Sequence, residues 1–153
     1  MRDNIRQLKA TDHSAWLTMR ERLWPDFSRE ELTAEEAGIF GEDSRTGVLV
    51  AVAESGELIG FAEVSIRDWA EGCRTRPVGY LEAWYVEPAH RRTGVGRRLI
   101  DAAQRWAADR GCTEMGSDAD PENVISLRAH AALGFTEVGR AVLYAKKLPP
   151  DAC

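Results

Sequence analysis

The stretch richest in potential chemistry is Glu87-Pro88-Ala89-His90-Arg91-Arg92-Thr93-Gly94-Val95-Gly96-Arg97-Arg98-Leu99. An apolar and aromatic run, Val78 to Val86, reads as a strand ending just before it, and an amphipathic helix reads on from it. Between them the chain turns through two glycines set among arginines. Glycine lets backbone approach a ligand closely, and the first N–H groups of a helix have no partner inside it. With the helix dipole added, such a turn is a cradle for a pyrophosphate. Other phosphate loops fail here: the Gly-x-x-x-x-Gly-Lys-Ser/Thr pattern is absent, and a dinucleotide fingerprint would need glycine where Leu99 stands.

Two acids elsewhere in the chain stand out. Glu82 lies mid-strand in Tyr80-Leu81-Glu82-Ala83-Trp84, and Asp118 closes a short strand before Pro121. A carboxylate in an apolar strand costs free energy to bury unless it is paired or used. Both are candidates to hold a cation or take a proton; Asp118 has the competing role of an Asx turn ahead of Pro121. Cys73, Cys112 and Cys153 are dispersed and lack CxxC or HxxxH spacing, so neither a disulfide framework nor a metal site is expected.

The elements that must position these groups read as an α/β chain. Ile5 to Lys9 is an opening strand. A first helix starts near Thr11-Asp12, carries Trp16, Met19 and Leu23, and stops at Pro25. Ser28-Arg29-Glu30-Glu31 is a capping box, which opens a second helix running towards Phe40 and Gly41. Val48 to Glu54 and Leu58 to Asp68 are strands joined by a hairpin turn at Glu54-Ser55-Gly56-Glu57. After the Val78–Val86 strand, the helix beyond the glycine turn buries Leu99, Ala102, Ala103 and Trp106 and stops at Gly111. Cys112 to Gly116 is a short strand, Pro121 to Leu133 a helix, and Ala141 to Leu148 a last long strand. This order predicts one central mixed, twisted sheet with helices on both faces.

A length of 153 residues suits one domain spanning 1–153, and 44% hydrophobic residues suit a globular core. The net charge of −5 speaks against a nucleic-acid partner and is compatible with a cationic small molecule. No apolar run is long enough to span a membrane, and the start, Met1 to Arg6, does not read as a secretory signal. A cytoplasmic location is expected.

In its setting, Arg91-x-x-Gly94-x-Gly96 resembles the acyl-CoA signature of the GCN5-related N-acetyltransferases (GNAT). The setting is the aromatic strand before it, the helix after it, and Asn123 with Ala132-Leu133-Gly134-Phe135 downstream. Further fragments fall in order along nearly the whole chain, among them Leu23-Trp24-Pro25, Gly60-Phe61-Ala62, Ser65-Ile66-Arg67, Gln104-Arg105-Trp106 and Pro121-Glu122-Asn123. Together they are similar to the aminoglycoside 6′-N-acetyltransferases of type I. The resemblance implies the GNAT fold, acetyl-CoA as co-substrate with no metal, and a homodimer. It also implies acetylation of the 6′-amino group of an aminoglycoside by direct attack, without a covalent enzyme intermediate.

Residue by residue, the resemblance places Trp84, Tyr85 and Val86 along the acetyl and pantetheine arm. Arg92, Thr93, Gly94, Val95, Gly96 and Arg97 fall around the pyrophosphate, and Asn123 on the pantetheine. For Trp84 and Tyr85, plain sheet packing is the competing role. Glu82 and Asp118 match substrate-binding acids; either one, directly or through a water, would help the 6′-ammonium lose its proton. Trp24 and Trp69 match aromatic substrate contacts, although Trp24 equally suits the core of the first helix. His130 stands where many GNAT enzymes have a tyrosine near the leaving sulfur, with Tyr144 as an alternative donor. Gly139 stands where relatives suggest an acid, and Phe27 where they suggest a histidine. An acetyltransferase for another polyamine, small amine or peptide amine would use the same loop, as would a non-catalytic acyl-CoA sensor.

Overall fold

The computed structural model describes residues 4–39 and 45–151. Among the described residues five strands form one sheet in the order β1-β2-β3-β4-β5. They are β1 (Asn4–Gln7), β2 (Thr46–Val52), β3 (Leu58–Arg67), β4 (Val78–Val86) and β5 (Met115–Ser117). The first four pair antiparallel, whereas β4 and β5 run parallel and are joined through a helical crossover. The helices are α1 (His13–Leu23), α2 (Arg29–Ile39), α3 (Val95–Ala108) and α4 (Val124–Ala132).

The sheet separates two cores. On one face α3 buries Val95, Leu99, Ile100, Ala103 and Trp106 against Leu49, Ala62, Val64 and Leu81. On the other, Trp16 and Met19 of α1 pack on Val50, Phe61, Ala83 and Tyr85. Helices therefore cover both faces, as the alternation of periods predicts. The capping box at α2 is present: Ser28 N–H donates to Glu31 Oε2 at 3.0 Å, and Glu31 N–H to Ser28 Oγ at 3.1 Å. The expected end of that helix at Phe40-Gly41 lies outside the described residues.

The last expected strand does not form within this chain. Residues 135–149 run without helix or strand, and Leu143 and Tyr144 are 90% and 92% exposed. Strand-forming side chains are not sufficient: a strand exists only when a neighbour supplies its ladder. The short strand expected at Cys112 is displaced to Met115–Ser117, where its backbone meets β4.

Candidate active site

Two irregularities in β4 create the site. The register with β3 shifts between Glu63, opposite Ala83, and Val64, opposite Leu81, which leaves Glu82 as the extra residue of a bulge. On its other edge β4 pairs with β5 only from Gly79 to Leu81. Among the described residues no strand covers that edge from Glu82 to Val86. The sheet thus opens into a V whose apex is Leu81–Ser117 and whose wide end meets the start of α3.

The turn before α3 is built as the sequence suggests. Gly94 is the N-cap residue at φ +89°, Arg92 is also left-handed at +62°, and no side chain caps the helix. The first turn carries no acid, so its N–H groups and dipole remain uncompensated. Arg91 serves the turn itself: its Nε donates to the Val86 carbonyl at 2.8 Å and ties the turn to the end of β4. Arg97 donates to the Ala132 carbonyl at 2.9 Å and ties α3 to α4. Thr93 Oγ1 donates back to the His90 carbonyl at 2.5 Å.

The three β4 residues expected along the cofactor divide by face. Trp84 lies on the α3 side, and a Cβ at Gly96 would sit 3.5 Å from its Nε1, so the indole reaches the first turn of α3. Val86 is buried on that side as well. Tyr85 points the other way, packs on Phe61 at 6.1 Å between ring centroids, and donates to Glu87 Oε2 at 3.2 Å. Only its backbone faces the open edge. Asn123 caps α4 by accepting from Ser126 N–H at 3.1 Å, which leaves its amide NH2 for a further acceptor.

At the apex the structure brings His130, Trp84 and Ser117 together. His130 Nε2 lies 2.8 Å from Ser117 Oγ and Nδ1 lies 2.8 Å from the Ser126 carbonyl. Its ring meets Trp84 and Phe135 edge-on at 5.1 and 5.4 Å. With Nδ1–H donated to Ser126, Nε2 is an acceptor, and the Ser117 hydroxyl has it at 2.8 Å and the Leu81 carbonyl at 3.2 Å as alternative acceptors. Tyr144, the alternative donor, lies on the exposed C-terminal segment.

Asp118 follows β5 directly, and its Oδ2 accepts the Tyr80 hydroxyl at 2.5 Å. The Asx turn before α4 belongs instead to Asp120, whose Oδ1 accepts from Glu122 N–H at 2.8 Å. Burial, then the Asp118 hydrogen bond and charge, push the Tyr80 hydroxyl far up, so it stays a donor at neutral pH. Glu82 accepts from Ser65 Oγ at 2.6 Å and from Arg67 Nε at 3.0 Å, and the Arg67 guanidinium centres 3.5 Å over the Tyr80 ring. The two acids are thus linked through Arg67 and Tyr80. Neither connecting residue is evident as functional from sequence; the signal was their spacing, two residues from Ser65 and Glu82 and so on the same strand face.

Glu82 also lines an open depression with Arg20, Trp24, Glu35, Glu63 and Ser65. Trp24 is half-buried there beneath the Arg20 guanidinium, 5.0 Å from its ring centroid, and combines a core contact with a cavity wall. Trp69 is 56% exposed in the bend after β3. Among the described residues no group of three or more His, Cys, Asp or Glu is placed to hold a metal ion. None of the helices described is long and apolar enough to cross a membrane.

Comparison with known proteins agrees with this architecture. The model of the acetyltransferase (GNAT) family matches residues 15–135. An aminoglycoside N(6′)-acetyltransferase type 1 of Klebsiella aerogenes is 47% identical over 146 residues, 94% of this chain and 96% of that protein. Another, of Stenotrophomonas maltophilia, is 44% identical over 97% of this chain and 95% of its own length. The solved structure of AAC(6′)-Iy in complex with the bisubstrate analogue CoA-S-monomethyl-acetylneamine superposes with a TM-score of 0.88 at 39% identity, covering 97% of this chain and all of that one. With its family model, its full-length relatives and its split sheet in accord, the chain belongs to the GNAT acetyltransferase family.

Proposed function

We propose that this protein transfers the acetyl group of acetyl-CoA to the 6′-amino group of aminoglycoside antibiotics. The observation that carries the reading is the pairing of an uncapped, acid-free α3 start with an acid-lined depression at the bulge of β4. Residues 92–97 would hold the diphosphate, the open edge of Trp84 to Val86 would pair with the pantetheine amides, and the Asn123 NH2 would serve one of its carbonyls. The group bound there supplies an acetyl thioester. Full-length similarity to N(6′)-acetyltransferases favours an aminoglycoside over another polyamine or a peptide amine.

The chain's own groups then have distinct tasks. Trp24, Trp69, Glu82 and Asp118 receive the amino sugar, with indoles against its ring faces and carboxylates on its ammonium groups. Asp118, held by the neutral Tyr80 hydroxyl rather than by a cation, takes the proton from the reacting ammonium. An N–H on the open edge of β4 faces the developing oxyanion. His130 Nε2, an acceptor at rest, takes the proton that the attacking nitrogen sheds and passes it to the leaving sulfur. Acetyl-CoA-dependent thiol release with kanamycin, and none with an analogue lacking the 6′-amine, is the expected result; equal turnover of both would refute the regiochemistry.

Gly94→Val tests the diphosphate turn separately. At φ +89° an L side chain costs about 1–2 kcal/mol. The KM for acetyl-CoA should rise about tenfold, with little change in the KM for the amine.

The active form is read as a cytoplasmic homodimer of single-domain chains. Supporting it are Val142, Leu143, Tyr144 and Leu148, exposed on a segment rich in strand formers that has no ladder partner among the described residues. Cys73 and Cys112 are free thiols, in keeping with a reducing compartment. Light scattering should give twice the mass of one chain, and a Leu143→Lys variant should give one; a wild-type monomer refutes the dimer.

A further inference from the structure

The acid assigned to the antibiotic already holds a cation of the protein's own. Glu82 Oε1 accepts from Arg67 Nε at 3.0 Å and Nη2 at 2.9 Å, and Oε2 accepts from Nη2 at 2.9 Å. The guanidinium lies over the Tyr80 ring, 3.5 Å from its centroid, and Tyr80 in turn donates to Asp118. Arg67 therefore occupies Glu82, where an incoming ammonium group would sit, and rests on the ring whose hydroxyl is bonded to Asp118.

Arg67 is not needed to fix Glu82. The carboxylate is oriented by Ser65 Oγ at 2.6 Å, and its backbone is set by the bulge. Arg67 is the last residue of β3, and its side chain is 43% exposed, so the guanidinium has solvent to swing into. A two-point Arg–carboxylate pair is among the stronger exposed ion pairs, yet within reach of exchange.

We propose that Arg67 is a specificity-determining residue: a built-in competitor that occupies Glu82 until a polycation reaching both Glu82 and Asp118 displaces it. A monoamine or short diamine gains one contact and loses to the guanidinium. An amino sugar with several ammonium groups gains contacts at both acids and wins. The proposal rests on the reading of Glu82 as a substrate acid.

Calorimetric titration of the full-length protein with kanamycin and with putrescine tests it, using wild type, Arg67→Met and Arg67→Gln. Removing the competitor should tighten kanamycin binding about fivefold and putrescine binding by more, so that discrimination between them narrows. In thiol-release assays the change should fall on the KM for the amine rather than on kcat. Adding Glu82→Gln to Arg67→Met should abolish the gain. Arg67→Gln keeps a polar group over Tyr80 and decides the question if the Met variant folds poorly. Unchanged or weaker kanamycin binding in a folded Arg67 variant overturns the proposal and makes Arg67 a brace. Wild type that binds kanamycin but transfers no acetyl group overturns the proposed activity, while the binding comparison still decides the role of Arg67. Absence of binding in every variant overturns both.

Discussion

Asp118→Asn protein is expected to fold normally and bind acetyl-CoA, yet to lose a factor of about 10²–10⁴ in kcat/KM on kanamycin, the range that a positioned general base contributes. The local structure makes this a clean substitution. Asp118 sits just past β5 and is not the residue that shapes the turn before α4, because Asp120 does that. An amide oxygen at 118 can still accept the Tyr80 hydroxyl, so what is removed is charge and basicity rather than a structural bond. Initial rates of thiol release, with amine and acetyl-CoA varied in turn, should place the loss on the amine-dependent step. Tyr80→Phe should do less harm, since it deletes a hydrogen bond to the base but leaves the base. Near-wild-type turnover by the Asn variant would retire Asp118 and transfer the role to Glu82.

How far the sequence reveals this arrangement depends on how local each feature is. The boundaries of β4, Val78 to Val86, follow from composition and flanking prolines, and the capping box of α2 follows from residues three apart. The glycine turn is equally local, and its left-handed Gly94 is where a helix start among arginines requires it. The bulge at Glu82 is different. A period-two pattern shows alternation but not which residue the partner strand skips, so Glu82 is recognisable as an odd acid without its orientation being readable. Arg67 and Tyr80 belong to strands ten residues apart, and only the β3–β4 ladder brings Arg67 over the ring. The C-terminal segment fails for the same reason from the opposite side: Ala141 to Leu148 has the side chains of a strand, but strand formation depends on a partner that is not next to it in sequence.

Arg20 and Glu63, two charged residues set in apolar stripes, give the largest expected effect on stability. Arg20 falls on the apolar stripe of α1, four residues after Trp16, and Glu63 stands between Ala62 and Val64 in β3. Both are buried, at 2% and 4% exposure, with Arg20 Nε donating to Glu63 Oε1 at 2.8 Å. Arg20 also donates to the Leu32 carbonyl at 3.0 Å and to Glu35 at 3.1 Å, which fastens α2 to α1. Arg20→Met keeps much of the volume but leaves a buried carboxylate without its cation, with the Trp16 hydrogen bond remaining, and removes the donor to the Leu32 carbonyl. Breaking such a pair from one side costs about 3–5 kcal/mol. Burial pushes the Glu63 carboxyl up, with Arg20 pulling against it, and the variant removes that pull. A carboxyl raised above its unfolded value favours the folded state only while protonated, so its contribution is full in acid and is lost as pH rises through the folded value. The deficit of Arg20→Met against wild type should therefore grow in urea unfolding as pH rises above the ordinary carboxyl range. Arg20→Met with Glu63→Met should recover most of the loss, because a well-packed apolar pair of similar volume can replace a buried ion pair. A pH-independent deficit, or a double variant no better than the single, would show that the helix contacts of Arg20, rather than its charge, hold this face together. In either case Trp24, which rests under the guanidinium, should loosen, and a higher KM for the amine should accompany the lost stability.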